Sequence, residues 1–277
     1  MDSLGIYAHH QKMIHSLYSS RLKIQILLTL LHSKASLSRL REVTGSTSQA
    51  LIPKIRNIEN QGLIEAVNYE YILTPLGRAV AMNVEGFVEL MGGIDQHRNF
   101  LTIHDLTDLP ESLLCRIGDL YNSETKQDTS TDMFFVYSNY LEILKDAAYI
   151  HTLSSVASPS LARILAEKVV SGIPGELVVN EQVIELLATE PYASNMQGLA
   201  GYANFSVWVT GENLRVGLTV TDKYLSLGLF KKGTNLYDSS SDLFSGDPRA
   251  VDWGENLFRY YKERSIKLDL ATLFEGK

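Results

Sequence analysis

The stretch from Ser20 to Ala81 admits few folds, because its elements are short and its turn residues are closely spaced. Leu22, Ile26, Leu27, Leu30 and Leu31 recur at helical spacing, so the pattern predicts a helix over Ser20 to Leu31 with one apolar face. Ser36 is placed to cap a second, short helix with Leu37, Leu40 and Val43 inside. "TGS" (Thr44–Ser46) reads as a tight turn centred on glycine. A third helix over about 46–61 follows, with Leu51, Ile55 and Ile58 on one face and Gly62 closing it. Two β-prone runs, "LIEAV" and "YEYILT", flank Asn68. Thr74 and Pro75 then open another helix, threonine as cap and proline in its first turn. Helix, helix, turn, helix, two-stranded wing, helix is the order of a winged helix-turn-helix.

In that fold the third helix lies in the major groove and turns its outward side chains to base edges. If Leu51, Ile55 and Ile58 point inward, the opposite face is Ser46, Gln49, Pro53, Arg56, Asn57 and Asn60, with Lys54 at the flank. Thr47 and Ser48 stand beside Ser46 at the start of the helix. Gln and Asn read adenine and Arg reads guanine. Lys54, Arg39 and Arg41 suit phosphates, which orient a protein without specifying sequence. Asn68 and Tyr69 are candidates at the wing tip. Pro53 sits where a helix loses one backbone hydrogen bond, the one to the carbonyl of Gln49, and its ring can meet a thymine methyl. Two plainer readings stand beside this one. The polar residues are a solvated helix face, or the whole unit is a protein-interaction or dimerisation module.

Charge divides the chain. Residues 1–90 carry nine Lys/Arg against seven Asp/Glu, net +2; residues 91–277 carry sixteen against twenty-five, net -9; together these give the formal -7. The asymmetry suggests different partners for the two parts. A single cysteine, Cys115, rules out an internal disulfide and any CxxC metal site, which fits a reducing, cytoplasmic compartment. The longest apolar run, Ile24–Leu31, is too short to span a bilayer, and the N-terminus has no apolar signal core. No membrane partner is therefore expected. His9, His10 and His15 lie close together, but terminal histidines are more often solvated than metal-bound, so neither metal nor cofactor is expected.

The expected organisation is α+β and multidomain: a winged helix-turn-helix over 1–90, a helical connector over 91–130, and a mixed α/β sensor or dimerisation domain over 131–277. Helical spacing continues from Met82 to about Ile94, where "MGGID" is expected to interrupt it. That helix either packs on the winged helix or pairs with its copy in a homodimer, which would match a two-fold operator. "YNSETKQDTSTD" (Tyr121–Asp132) reads as a polar connector leading to an edge of the last domain. A helix is expected over Tyr137–Ala147 with Leu141 and Leu144 inward, then a strand, a serine-capped helix, a strand and a helix. Three β-rich runs follow, and a terminal helix over Asp247–Ser265 with Val251, Leu257 and Tyr261 inward. In such sheets ligands gather at the carboxyl ends of strands. Candidates for a small-molecule effector are Tyr137, His151, Ser154, Ser155 and Asn180, with helix capping as the plainer role of the serines.

Four stretches together carry a family resemblance: "STSQALIPKIRNIENQGLI", "YILTPLGRAVA", "HDLTDLPESLLCRIGDLY", and "VTDKYLSLGLF" with "AVDWGENLFRYYKERS". They resemble the archaeal methanogenesis regulatory proteins of the Fil type over nearly the whole chain. The resemblance implies double-stranded DNA as partner, transcription regulation, and a sensory C-terminal domain. The α/β part also resembles a phospholipase-D-like half, whose chemistry needs a His-x-Lys pair. The α/β part has none, the two His-x-Lys triplets, His10–Lys12 and His32–Lys34, lying in the N-terminal third; at the comparable strand Asp222 and Lys223 stand without a histidine. GxSxG, HExxH and GxxxxGK[ST] motifs are absent too, so no enzyme is expected.

Overall fold

The computed structural model describes residues 2–274, in two compact units, Met1–Glu89 and Leu90–Lys277. The fold is α+β and multidomain, a winged helix-turn-helix followed by a mixed α/β sheet.

The first unit begins with α1 (Ser3–Tyr18), which buries none of its residues. Helix α2 (Arg21–His32) buries Ile26, Leu27, Leu30 and Leu31. Strand β1 (Ala35–Ser36) leads into α3 (Leu37–Thr44), capped by Ser36. Val43 is 42% exposed rather than inside. The inner position falls instead to Thr44, four residues after Leu40, with its hydroxyl donated to the Leu40 carbonyl at 2.7 Å. The turn runs through Gly45 at φ 62°. Helix α4 (Ser48–Asn60) starts two residues later than the sequence suggests, because Thr47 is its cap and accepts from the Ala50 N–H. Leu51, Ile55 and Ile58 are fully buried beneath α2 and α3.

The wing is β2 (Ile64–Val67) and β3 (Glu70–Leu73), paired antiparallel, with β1 on the outer side of β3. Its two-residue turn has Asn68 and Tyr69 at φ 52° and 67°, the pair of left-handed residues that fits the twist of a tight hairpin. Helix α5 (Pro75–Gln96) is capped by Thr74, whose Oγ1 accepts from the Gly77 N–H at 3.0 Å. "MGGID" does not interrupt it. A Cβ on Gly93 would lie 2.7 Å from the Ile117 carbonyl, so the glycine serves a close approach of backbone to backbone.

The second unit is built on an eight-stranded sheet. Its strands are β4 (Glu124–Gln127), β5 (Ile150–Ser154), β6 (Gly175–Asn180), β7 (Phe205–Thr210), β8 (Val216–Val220), β9 (Leu225–Phe230), β10 (Tyr237–Ser245) and β11 (Ser265–Leu268). The spatial order is β11-β7-β6-β5-β8-β9-β10-β4. Strands β5, β6 and β7 are parallel, and the other pairs are antiparallel. Helices α8 (Phe135–Lys145), α9 (Pro159–Val170), α10 (Glu181–Leu187) and α11 (Ala193–Leu199) build the core on one face. Helix α12 (Pro248–Lys262) covers the other face with Trp253, Leu257, Phe258 and Tyr261. On α8 the inward residues are Val136, Ile143 and Leu144, while Leu141 is exposed.

Residues 91–120 belong to the second unit. Helices α6 (Arg98–Ile103) and α7 (Glu111–Leu114) and a 3-10 turn (Ile117–Leu120) send Phe100, Leu113 and Leu120 into the α12 core. Strand β4 takes the sheet edge against β10. The sequence reading missed β10, because "YDSSSDLFS" has the Ser/Asp composition of a loop. The strand is inside because Ser241, Asp242, Leu243 and Phe244 are all buried between β9 and β4.

Candidate nucleic-acid interface and a cavity in the sheet domain

On α4 the exposed residues Gln49, Pro53, Arg56 and Asn60 follow one another at i, i+4, i+7 and i+11, one stripe opposite the buried Leu51, Ile55 and Ile58. Pro53 is the sixth residue of α4, and the carbonyl it leaves without a donor, that of Gln49, belongs to this outward stripe. Lys54 and Arg41 are exposed; Arg39 is exposed and pairs with Glu42 at 2.8 Å, an ion pair of small energetic weight. Ser46 and Thr47 precede the helix, and Thr47 spends its hydroxyl oxygen on the cap; Ser48 is the first helical residue. At the wing, Tyr69 is 99% exposed beside Asn68.

Asn57 is exposed on the same helix, and it also reaches inward. Its Oδ1 accepts from the Lys23 ammonium at 2.5 Å, which also donates to Ser16 Oγ at 2.5 Å. Lys23 is 3% exposed, and burial followed by the nearby Lys54 charge pulls its pKa below the usual lysine range. A buried ammonium needs acceptors, so Asn57 is a tether between α4 and α2, with only its amide N–H groups left to face outward. The sequence hid this, because Lys23 falls inside an otherwise amphipathic run.

In the second unit a cavity of about 630 Å³ lies between the sheet and helices α8, α9, α10 and α11. Tyr137 and Ser154 line it. The other three candidates do not. His151 lies on the opposite face of β5, since successive strand residues alternate; it meets the Glu255 carboxylate at 3.0 Å and stacks on Phe258 of α12. Ser155 donates to the Val216 carbonyl at 3.1 Å. Asn180 caps α10, accepting from the Val183 N–H at 2.9 Å. Asp222 and Lys223 brace the turn before β5, Asp222 accepting from the Ala148 N–H and Lys223 donating to the Asp146 carbonyl.

The polar end of the cavity is formed by residues that sequence reasoning missed: Tyr140, Thr152, Thr219, Ser226, Tyr237 and Asp242. Asp242 is 7% exposed; one carboxylate oxygen accepts from Ser226 Oγ at 2.9 Å, and the other has no partner among the described residues. Burial pushes its pKa up to about 7, and the charges of Asp238 and Asp128 add to that, against the Ser226 hydrogen bond. Burial raises the Tyr140 and Tyr237 phenols as well. Thr152 Oγ1 is another buried polar atom without a partner. Tyr237 fits against the sheet because Gly217 and Gly228 face each other across β8 and β9; a Cβ on either would meet its hydroxyl, at 2.4 and 1.9 Å. Thr152 was findable, as it shares a strand face with Ser154.

Asp238 lies on β10 outside the cavity lining. Burial raises its pKa, but hydrogen bonds from Ser240 and His104 and the Lys231 charge lower it further, for a net downward shift. His104 is fully buried with Nδ1 toward the Phe100 carbonyl and Nε2 toward the Asp238 carboxylate, so both ring nitrogens face acceptors. Among the described residues no cluster of three His, Cys, Asp or Glu is arranged to hold a metal, and no helix is long and apolar enough to cross a membrane.

Two family models match the chain: the N-terminal domain of methanogenesis regulatory protein FilR1 over residues 11–92, and its middle domain over residues 133–264. The methanogenesis regulatory protein FilR1 of Methanothrix harundinacea (strain 6Ac) is 26% identical over 258 residues, 92% of this chain. The chain spans 58% of that relative's length. Among solved structures, the archaeal chromatin protein TrmBL2 aligns over 93% of this chain and 98% of its own, at 13% identity and a TM-score of 0.42. A putative transcriptional regulator, ytfH from Salmonella typhimurium, aligns over 33% of this chain and 87% of its own, at 25% identity and a TM-score of 0.29. The methyltransferase RosA from Streptomyces davawensis aligns over 74% of this chain and 65% of its own, at 14% identity and a TM-score of 0.26.

Proposed function

The chain belongs to the methanogenesis regulatory protein FilR1 family, and from that premise we propose that it is a sequence-specific DNA-binding transcriptional regulator governed by a signal in its α/β unit. The observation that carries the DNA reading is the outward stripe Gln49, Pro53, Arg56 and Asn60 on a helix whose opposite face is fully buried. A glutamine, an arginine and an asparagine on one face are the side chains that make two-point contacts to base edges. Lys54, Arg39 and Arg41 are the phosphate contacts of this reading, and Asn68 and Tyr69 the wing contacts.

The protein acts as a homodimer in this proposal. Helix α1 supports it: none of its residues is fully buried, and its Leu4, Ile6 and Met13 stand exposed. Two copies match a pseudo-palindromic operator with half-sites about one helical turn apart. The signal changes DNA affinity only through different affinities for two arrangements of the protein.

Selection of binding sites from random duplex DNA, followed by titration, tests this. The selected site is expected to be pseudo-palindromic. Arg56→Ala should weaken its binding by roughly 1–3 kcal/mol and relax preference at one base pair. Lys54→Ala should weaken all sequences alike and lower the salt slope by about 1. An Arg56→Ala protein with unchanged affinity and preference sinks the α4 assignment. No enrichment of any sequence would leave the module without a sequence-specific DNA role.

A further inference from the structure

We propose that the cavity between the sheet and α8–α11 binds a small amine: an apolar body enclosed by the helices and an ammonium head set against Asp242. The inference rests on the reading of the second unit as the place where a signal is received, and it names the chemistry of that signal.

Three observations carry it. The first is shape and polarity. About 630 Å³ is a common size for a small-molecule site, and most of the wall is apolar, with Leu161, Leu165, Leu177, Val179, Val183 and Leu218 as its aliphatic part. A ligand without an apolar body would leave this wall wet. The second is an unanswered acceptor. Asp242 is 7% exposed, lines the cavity, and has one carboxylate oxygen without a partner, on the same cavity as the unpartnered Thr152 hydroxyl. A buried carboxylate oxygen left open is costly unless a donor meets it. The third is the sign of the charge. Asp242 and Asp128 line the cavity, and among the described residues no Lys, Arg or His does. Phosphates, carboxylates and nucleotides would bring negative charge to a wall that already carries it and offers no cation in return. An ammonium ion instead supplies three donors and a counter-charge, and the rings of Tyr137, Tyr140 and Tyr237 on the same wall offer π-faces to it.

The test is calorimetric titration of the full chain at pH 8 with three probes of one shape: 2-phenylethylamine, 2-phenylethanol and 3-phenylpropanoate. The amine is expected to bind at least tenfold more tightly than the alcohol, and the acid to bind weakest. Asp242→Asn should erase the preference for amine over alcohol. Thr152→Val, which keeps the volume, should weaken the amine without changing the secondary structure seen by circular dichroism. If the alcohol or the acid matches the amine in the unmodified chain, the assignment is overturned, and that comparison needs no variant. It is overturned equally if Asp242→Asn folds and keeps the preference. Repeating the titration of selected operator DNA with saturating amine separates the two readings. Tight, Asp242-dependent amine binding with unchanged DNA affinity upholds the cavity assignment and removes the sensing role. A protein that binds operator but shows no amine preference keeps its DNA function and loses this assignment.

Discussion

Asp242→Asn is expected to stabilise the protein at pH 8 by about 2–4 kcal/mol, and to leave it nearly unchanged at pH 4. The carboxyl titrates near 7 in the folded chain against 3.8 as its ordinary value. At pH 4 it is protonated in the folded state and roughly half-protonated in the unfolded one. As pH rises from about 4 to 7, the unfolded chain releases this proton and the folded chain does not, so stability falls across that window. Above 7 the full cost of a buried charge is present. A gap of about three pH units corresponds to about 4 kcal/mol, and relaxation around the charge reduces it. Asparagine has nearly the same shape and no charge to desolvate. The carboxyls shifted downward, Asp105, Asp238, Asp247 and Glu124, are already ionised in both states at pH 6, so they do not blur the comparison between pH 6 and 8. Urea titrations of both chains at pH 4, 6 and 8 read the effect. A variant no more stable than the parent at pH 8 would show that Asp242 is not held in an apolar setting.

Trp253→Ala carries the largest expected loss. Its side chain is fully buried at the centre of α12, among Leu113, Leu218 and Leu225 of the core below the sheet, and Nε1 donates to the Leu113 carbonyl at 3.0 Å. The substitution empties a large volume and leaves a buried carbonyl without its donor. Together these cost about 3–5 kcal/mol. Since α12 and α7 are held by the same residue, the α/β unit should unfold at much lower urea, while the first unit, with its separate core, keeps its own transition. Chemical denaturation followed by tryptophan fluorescence and by circular dichroism measures both. A loss under 1 kcal/mol would mean that the core closes over the gap.

The first unit was largely legible in the sequence, and the reason is local. Ser36, Gly62 and Thr74 each mark an element boundary with a side chain or a φ angle that the boundary requires. Those signals are read within four or five residues. The cavity was legible only in part, because it depends on facing. Ser154 and His151 lie on one strand and look equally available to a ligand, yet three residues of alternation put them on opposite sides of the sheet. Asp242 was invisible because its strand has no apolar alternation to announce it, and burial there comes from the neighbouring strands. Asn57 read as an exposed base reader; only the buried Lys23 beside it, 34 positions earlier, assigns it an inward partner.

The facing glycines of β8 and β9 have a consequence for how cavities of this kind diversify. Gly217 and Gly228 carry no recognising group, yet the missing Cβ atoms decide where the Tyr237 ring rests. An added methyl at either site drives the ring off the sheet and into the space a ligand would fill. Selectivity is thus stored in atoms that are absent, where a one-carbon change moves the Tyr237 ring and, at Gly228, crowds the open oxygen of Asp242 as well.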